Sequence, residues 1–215
     1  TRYIGVTGVQ TCALPICTED SINEQNNQYV HDIMVQVRYM TDTINDFQKF
    51  IMPSTQKTVF DVSEAIETMM KIINHNIKYN YIDVTIDVSN ATNLMVSGYK
   101  NEFMQTLLNV VNNAKEQIKE ARENKLIKRG SIFIQIYNYS KKVIIDIKDN
   151  GGGIPIDKMP NIFDAYYTTK EQGHGIGLYM SKLIIEDKMG GKIRASNTNE
   201  GACFTITLGN VTWKF

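Results

Sequence analysis

Asn109 and Asn113 stand four residues apart in the stretch NEFMQTLLNVVNNAKEQI, residues 101–118. On a helix that spacing puts both amides on one face. An amide oxygen there can ligate Mg2+ without adding charge, and magnesium takes few protein ligands when phosphate oxygens supply the rest. Two asparagines on a helix are also an ordinary solvated pair, so this spacing alone is weak. A second cluster is IDIKDNGGGIP, residues 145–155, where a strand ends in Asp149 and runs into Asn150-Gly151-Gly152-Gly153. A carboxylate fixed at a strand end can accept a hydrogen bond from an amino group such as that of adenine. Neighbouring glycines let backbone approach a flat ring and adopt positive φ. The ordinary reading is an Asp-Asn-Gly turn.

A third cluster is GHGIGLYMSKLII, residues 173–185, in which Gly173, Gly175 and Gly177 alternate as a helix begins. Free backbone N–H groups at a helix N-terminus bind phosphate, and glycines remove the side chains that would block it. The run follows no strand of a βαβ unit, so a dinucleotide-binding fingerprint is disfavoured.

The elements that hold these residues can be read from periodicity. Val30, Ile33, Met34, Val37, Met40, Ile44, Phe47 and Ile51 follow helical spacing over about 21–51, ended by Pro53. Thr58–Val62 reads as a strand and Ser63–Asn76 as a helix with Ser63 as N-cap. Ile82–Val88 alternates as a half-buried strand, Leu94–Val96 is a candidate strand, and Asn101 to about Glu123 is a long helix with Leu107, Leu108, Val111 and Ala114 on its apolar face. Ser131–Tyr139 and Lys141–Lys148 predict a hairpin. A loop from Asn150 to about His174 precedes a helix over Gly175–Met189, capped by Gly190–Gly191. Lys192–Ser196 and Cys203–Leu208 close the sheet. Together these predict helices on one face of a mixed sheet, with one long and therefore functional loop.

Composition sets the bounds. The 215 residues are 42% hydrophobic and 21% charged, with formal net charge +0. That is globular material with no basic excess, which disfavours a nucleic-acid or membrane-surface binder. No apolar run reaches the ~20 residues of a membrane span, and no secretory leader opens the chain. Cys12, Cys17 and Cys203 form no CxxC pair, and a cytoplasmic, reducing location is the expectation. Residues 6–16, VTGVQTCALPI, resemble the translation of a short-read sequencing adapter. Residues 1–16 are therefore set aside as an artefact, with the natural protein expected to continue upstream.

The order NxxxNA, DxGxG, a Phe-containing loop (IFDAYYTTK, 162–170) and GxGxGL resembles the N, G1, F and G2 boxes of bacterial sensor histidine kinases. These belong to the gyrase, chaperone, kinase and MutL ATPase superfamily. The resemblance spans about 58–208, and MTDTINDF (40–47) is similar to the second helix of the dimerisation hairpin of such kinases. It implies an α+β fold, a two-layer α/β sandwich of the Bergerat ATP-binding type with an N-terminal helical dimerisation segment. The implied domains are 17–53, the second helix of a truncated hairpin, and 54–215, the catalytic ATP-binding domain.

The same resemblance implies ATP and Mg2+ as cofactors. Asn109 and Asn113 would face the phosphates as catalytic residues, Asn113 as chief Mg2+ ligand, with Asp149 on the adenine amino group. Gly151 and Gly153 would shape the adenine pocket, beside Ile154. Phe163 would belong to a mobile lid, with Thr169, and Lys170 would reach phosphate. Gly173, His174, Gly175, Gly177 and Leu178 would surround the triphosphate. Superfamily ATPases carry a general-base glutamate where this chain has Asn109, which takes no proton at neutral pH. That favours phosphoryl transfer to a histidine over hydrolysis. No acceptor motif is present: His31 is followed by Asp-Ile-Met-Val, and His75 has no motif. The implied partners are a second copy through the helical hairpin and a response regulator, with membrane attachment only through an upstream region. A superfamily ATPase or an anti-sigma-type serine kinase is the alternative.

Overall fold

The computed structural model describes residues 29–30, 33–34, 37, 54, 56–88, 91–168 and 175–211. The chain divides into two compact units, Thr1–Asn45 and Asp46–Phe215. In the first, the described residues are helical, and Tyr29, Val30, Ile33, Met34 and Val37 are all exposed. The rest of the helix expected over 21–51 lies outside the described residues.

The second unit is built on a five-stranded sheet. Its strands are β2 (Ile82–Asp87), β4 (Gly130–Tyr139), β5 (Lys142–Asp149), β6 (Lys192–Asn197) and β7 (Ala202–Gly209), in the order β2-β4-β5-β7-β6. β2 and β4 run parallel and every other pair is antiparallel. The remaining strands, β1 (Thr58–Asp61) and β3 (Met95–Gly98), form a separate antiparallel pair.

Alternation in sequence decides which face is covered. Ile134 pairs with Ile147 and Ile136 with Ile145, and these continue across β7 through Phe204 and Ile206. All six are buried. Helix α2 (Lys100–Glu123) lies across this surface and buries Phe103, Leu107, Val110, Val111, Ala114 and Ile118. Each large side chain so buried contributes ~1.5–3 kcal/mol. Alternate residues point to the other face, which is polar: Tyr137 Oη and Thr205 Oγ1 both donate to Asp146, at 3.2 and 2.6 Å. One face is therefore helix-covered and one is not, the two-layer arrangement the pattern predicts.

Helix α1 (Val62–Tyr79) begins one residue earlier than expected, and its N-cap is Asp61, not Ser63. Asp61 Oδ1 accepts from the backbone N–H of Ser63 at 2.7 Å and of Glu64 at 3.2 Å. A carboxylate at this place also suits the positive end of the helix. The helix expected over Gly175–Met189 is two pieces: α3 (Gly177–Lys182) and a π-helical continuation, Leu183–Lys188. It ends at Gly190, whose φ of 66° supplies the left-handed cap. Among the described residues no helix is long and apolar enough to cross a membrane.

Candidate functional site

Asp149 ends β5 with its side chain buried beneath the β6–β7 turn. Its Oδ1 accepts two backbone hydrogen bonds, from Gly151 at 2.8 Å and Ala202 at 3.3 Å. Among the described residues no donor meets Oδ2. Burial pushes the Asp149 carboxyl above its ordinary 3.8, and the two backbone N–H groups partly oppose that rise. The result is a fixed carboxylate with one oxygen held and one available to an incoming N–H.

The loop after Asp149 is pinned on both sides. Asn150 bridges to the start of β4, accepting from Ser131 N–H at 2.9 Å and donating to the Arg129 carbonyl at 2.9 Å. Gly151 sits against α2 so closely that a Cβ would lie 2.9 Å from the backbone of Gln117 and Ile118. Gly153 has φ of 82° and packs against Asn197, whose amide holds both backbone groups of Ile154. The glycines thus shape this end by seating the loop on α2 and β6.

The opposite end is made by α2 and α3. Asn109 Nδ2 donates to the Gly177 carbonyl at 3.1 Å and to Ser181 Oγ at 3.3 Å. Asn113 follows one turn later and lines the cavity. The N-cap of α3, Ile176, offers no side-chain cap to the first N–H groups of the helix. Gly177 is helical, and the three atoms nearest to a Cβ there would be those of the Asn109 amide, at ordinary contact distances of 3.7–3.9 Å. Neither packing nor φ demands a glycine at 177, so the small residue matters chiefly for what approaches from the cavity. Gly175 is required locally: its φ is 65°, and a Cβ would lie 2.7 Å from the Tyr166 carbonyl oxygen.

Between these ends lies a cavity of ≈ 700 Å³, within the range of small-molecule sites. Ile154, Ile162, Leu178, Ala202 and Phe204 give it apolar walls, and Asp149, Asn113 and Lys158 give it polar points. From Asn109 to Gln117 along α2 is ~12 Å at the rise of a helix. The site is therefore a trough with an amino-group acceptor at one end and, at the other, the start of α3 with the Asn113 amide; Asn109 is not in the lining but stands behind Gly177, bonded to it and to Ser181. A smaller hollow of ≈ 400 Å³ on the other side of Asp149, lined by Phe133, Lys148 and Glu200, has none of these features except that carboxylate.

The family model "Histidine kinase-, DNA gyrase B-, and HSP90-like ATPase" matches residues 98–211, which contain every part of this trough. The chain belongs to that ATPase family. Sporulation kinase D of Bacillus subtilis (strain 168) is 28% identical over 187 residues, covering 86% of this chain and 35% of that protein. The catalytic domain of the histidine kinase ThkA is 30% identical with a TM-score of 0.63, over 72% of this chain and 96% of that one. A second ThkA structure, in complex with the response regulator TrrA, has a TM-score of 0.61 at 22% identity, over 95% of this chain and 56% of that one, and supports the fold. The chain spans only 35% and 30% of the length of two curated relatives it matches, sporulation kinase D and the AtoS kinase of Escherichia coli (strain K12).

Of the residues singled out in the sequence, Asn113, Asp149, Gly153, Ile154, Gly175, Gly177 and Leu178 line the cavity. Gly151 stands behind it against α2. Phe163 does not line it but meets Phe204 edge-on, ring centroids 6.4 Å apart, while its neighbours Ile162, Tyr167 and Thr168 face the cavity. Thr169, Lys170, Gly173 and His174 lie outside the described residues, as does His31. His75 is exposed on α1, away from the cavity lining. Sequence reasoning missed Lys158, Ser181, Asn197, Gly201 and Ala202. A Cβ on Gly201 would overlap the Asp149 carbonyl oxygen, so this glycine is what lets β7 start beside Asp149.

Proposed function

We propose that this chain is the ATP-binding catalytic part of a sensor histidine kinase. It takes Mg-ATP and passes the γ-phosphoryl group to a histidine on a segment other than residues 54–215. The observation that carries the reading is the polarity of the trough. Asp149 offers Oδ2 to the amino group of adenine, and the triphosphate runs along α2 to the N-terminus of α3. At that end the chain has Asn109 where a hydrolase needs a base, and an amide takes no proton from water. A histidine imidazole is itself a nucleophile, so positioning and charge neutralisation suffice.

The donor set suits magnesium. Among the described residues no cluster of three His, Cys, Asp or Glu side chains forms a metal cage. The amide oxygens of Asn109 and Asn113 are neutral ligands of the kind a Mg2+ already held by phosphate oxygens accepts. When bound, the ion would neutralise charge developing on the phosphates.

The described helical residues of the first unit, with Val30, Ile33, Met34 and Val37 exposed, fit one arm of a dimerisation hairpin that pairs with a second copy. Its partner in this reading is a response regulator, which the existence of a ThkA complex with the response regulator TrrA and the kinase relatives support. The working location of this part is the cytoplasmic side of any membrane to which an upstream region attaches.

Calorimetry of the full chain with ATP, with and without Mg2+, tests the reading. Saturable binding that strengthens with the metal is expected. Absence of binding in a sample that melts cooperatively would sink it.

A further inference from the structure

Ser181 is fully buried on α3, although a hydroxyl in a helix interior gains nothing in propensity over alanine. A buried hydroxyl must be satisfied, and this one is satisfied in a directed way. Its Oγ donates to the Gly177 carbonyl four residues earlier, at 2.9 Å. With its single proton committed there, Oγ can only accept, and what it accepts is Asn109 Nδ2 at 3.3 Å. The same Nδ2 also donates to the Gly177 carbonyl at 3.1 Å. A carbonyl oxygen never donates, so the end of the Asn109 amide turned toward α3 must be the NH2 group. Its oxygen is thereby the end that no donor occupies among the described residues, and it lies 3.8 Å from where a Cβ on the cavity-lining Gly177 would stand.

We infer that Ser181 is a positioning residue for the phosphate end of the site: it locks the Asn109 amide with the oxygen available to a cation. Without the hydroxyl, the amide loses one of its two acceptors and with it part of the bias against turning its NH2 group outward, where it would repel a metal ion. The inference rests on the nucleotide reading given above. It adds a residue on α3 that touches neither adenine nor the cavity and yet sets the metal dependence of binding. The link also ties α2 to the first turn of α3, so the two elements that flank the phosphates keep a fixed separation.

The test is calorimetry on the full chain with two probes, adenosine and Mg-ATP. The proteins compared are wild type, Ser181→Ala, Ser181→Cys, Asn109→Ala and the double variant Ser181→Ala/Asn109→Ala. Ser181→Ala is expected to weaken Mg-ATP roughly fivefold, the worth of one hydrogen bond, and to leave adenosine unchanged. Ser181→Cys leaves no cavity and keeps a weaker acceptor for Asn109, so it should fall between; it carries the test should the alanine variant melt early. In the double variant the loss should equal that of Asn109→Ala alone, because the serine acts through the asparagine. Equal losses for adenosine and Mg-ATP, no loss for either, or losses that add in the double variant would overturn the proposal. A wild-type chain that binds neither probe would remove the nucleotide reading itself, and the proposal with it. The Asn109 side-chain NH2 resonances, identified by their absence in Asn109→Ala, separate the two failures. If they shift in Ser181→Ala, the amide lock is real whether or not nucleotide binds.

Discussion

Asn197 grips the backbone of Ile154 with both ends of its side-chain amide. Oδ1 accepts from the Ile154 N–H at 2.8 Å and Nδ2 donates to the Ile154 carbonyl at 2.7 Å. The amide thus stands in for a paired strand and fastens the loop after Asp149 to the end of β6. The bonds are exposed, so water replaces part of what a substitution removes. Asn197→Ala should cost about 1 kcal/mol of stability and a similar factor in ATP affinity, roughly fivefold. Thermal melts and calorimetry check both; an unchanged affinity would mean the loop needs no clamp.

Asp149 makes binding depend on pH in a direction its surroundings fix. Burial raises its pKa above 3.8, so the folded protein holds the proton more tightly than the unfolded chain does. Its contribution to stability is therefore present at low pH and is lost as pH rises through the raised pKa. Adenine binding at Asp149 should have the opposite dependence, because a proton on Oδ2 makes the oxygen offered to the amino group a donor and weakens it as an acceptor. ATP affinity should fall on acidification, beginning at a higher pH than an ordinary aspartate would give. Asp149→Asn should abolish this acid limb. The amide can still accept from Gly151 and Ala202 but turns an NH2 toward the ligand's own NH2, costing ~1.5–3 kcal/mol of affinity. The unliganded variant should melt no lower than wild type at neutral pH. Affinity profiles between acid and neutral pH decide the matter.

Gly201 tests whether the support of Asp149 is steric. A Cβ there would overlap the Asp149 carbonyl oxygen, and the backbone of β5 has little room to yield between β4 and β7. Gly201→Ala should destabilise the fold by ~1–3 kcal/mol, the usual cost of overpacking, and should weaken adenosine and ATP alike. A melt and an adenosine titration check this; a variant with wild-type values would show that the turn moves freely.

What could be read from the sequence follows physical range. The strands of the sheet were legible because alternation is local, and Asn109 with Asn113 because helical spacing is local. Leu107, Val111 and Ala114 are buried as the stripe predicts and Leu108 is half-buried, while the N-cap of α1 is Asp61 and not Ser63 because the Asp61 carboxylate takes the N–H groups of Ser63 and Glu64 and so starts the helix at Val62. Asn197, Gly201 and Ser181 were not legible. Asn197 meets Ile154 across 43 residues and Ser181 meets Asn109 across 72. Only the pairing of β5 with β7 and the docking of α3 on α2 make them neighbours. The boxes marked residues that line the cavity; what holds those residues in place lies in unremarkable Asn, Ser and Gly positions elsewhere in the chain.

The polarity of the trough makes a last claim about hydrolysis. Two carboxylates, Glu116 and Glu120, line the cavity and could be suspected as bases. They stand on α2 beyond Asn113, toward Gln117, the residue against which Gly151 packs. Along the helix axis Glu120 lies ~16 Å from Asn109 and ~10 Å from Asn113, too far to reach a water at the phosphate end, whereas Glu116 is within a turn of Asn113. Glu120→Gln should therefore leave any slow turnover of Mg-ATP by this chain unchanged, and Glu116→Gln asks whether the nearer carboxylate acts as a base, while Asn113→Ala removes most of the metal dependence. Steady-state phosphate release measures all three. A collapse of turnover in Glu116→Gln would show that a base other than position 109 serves water here, and would remove the argument that Asn109 marks this site for transfer to histidine.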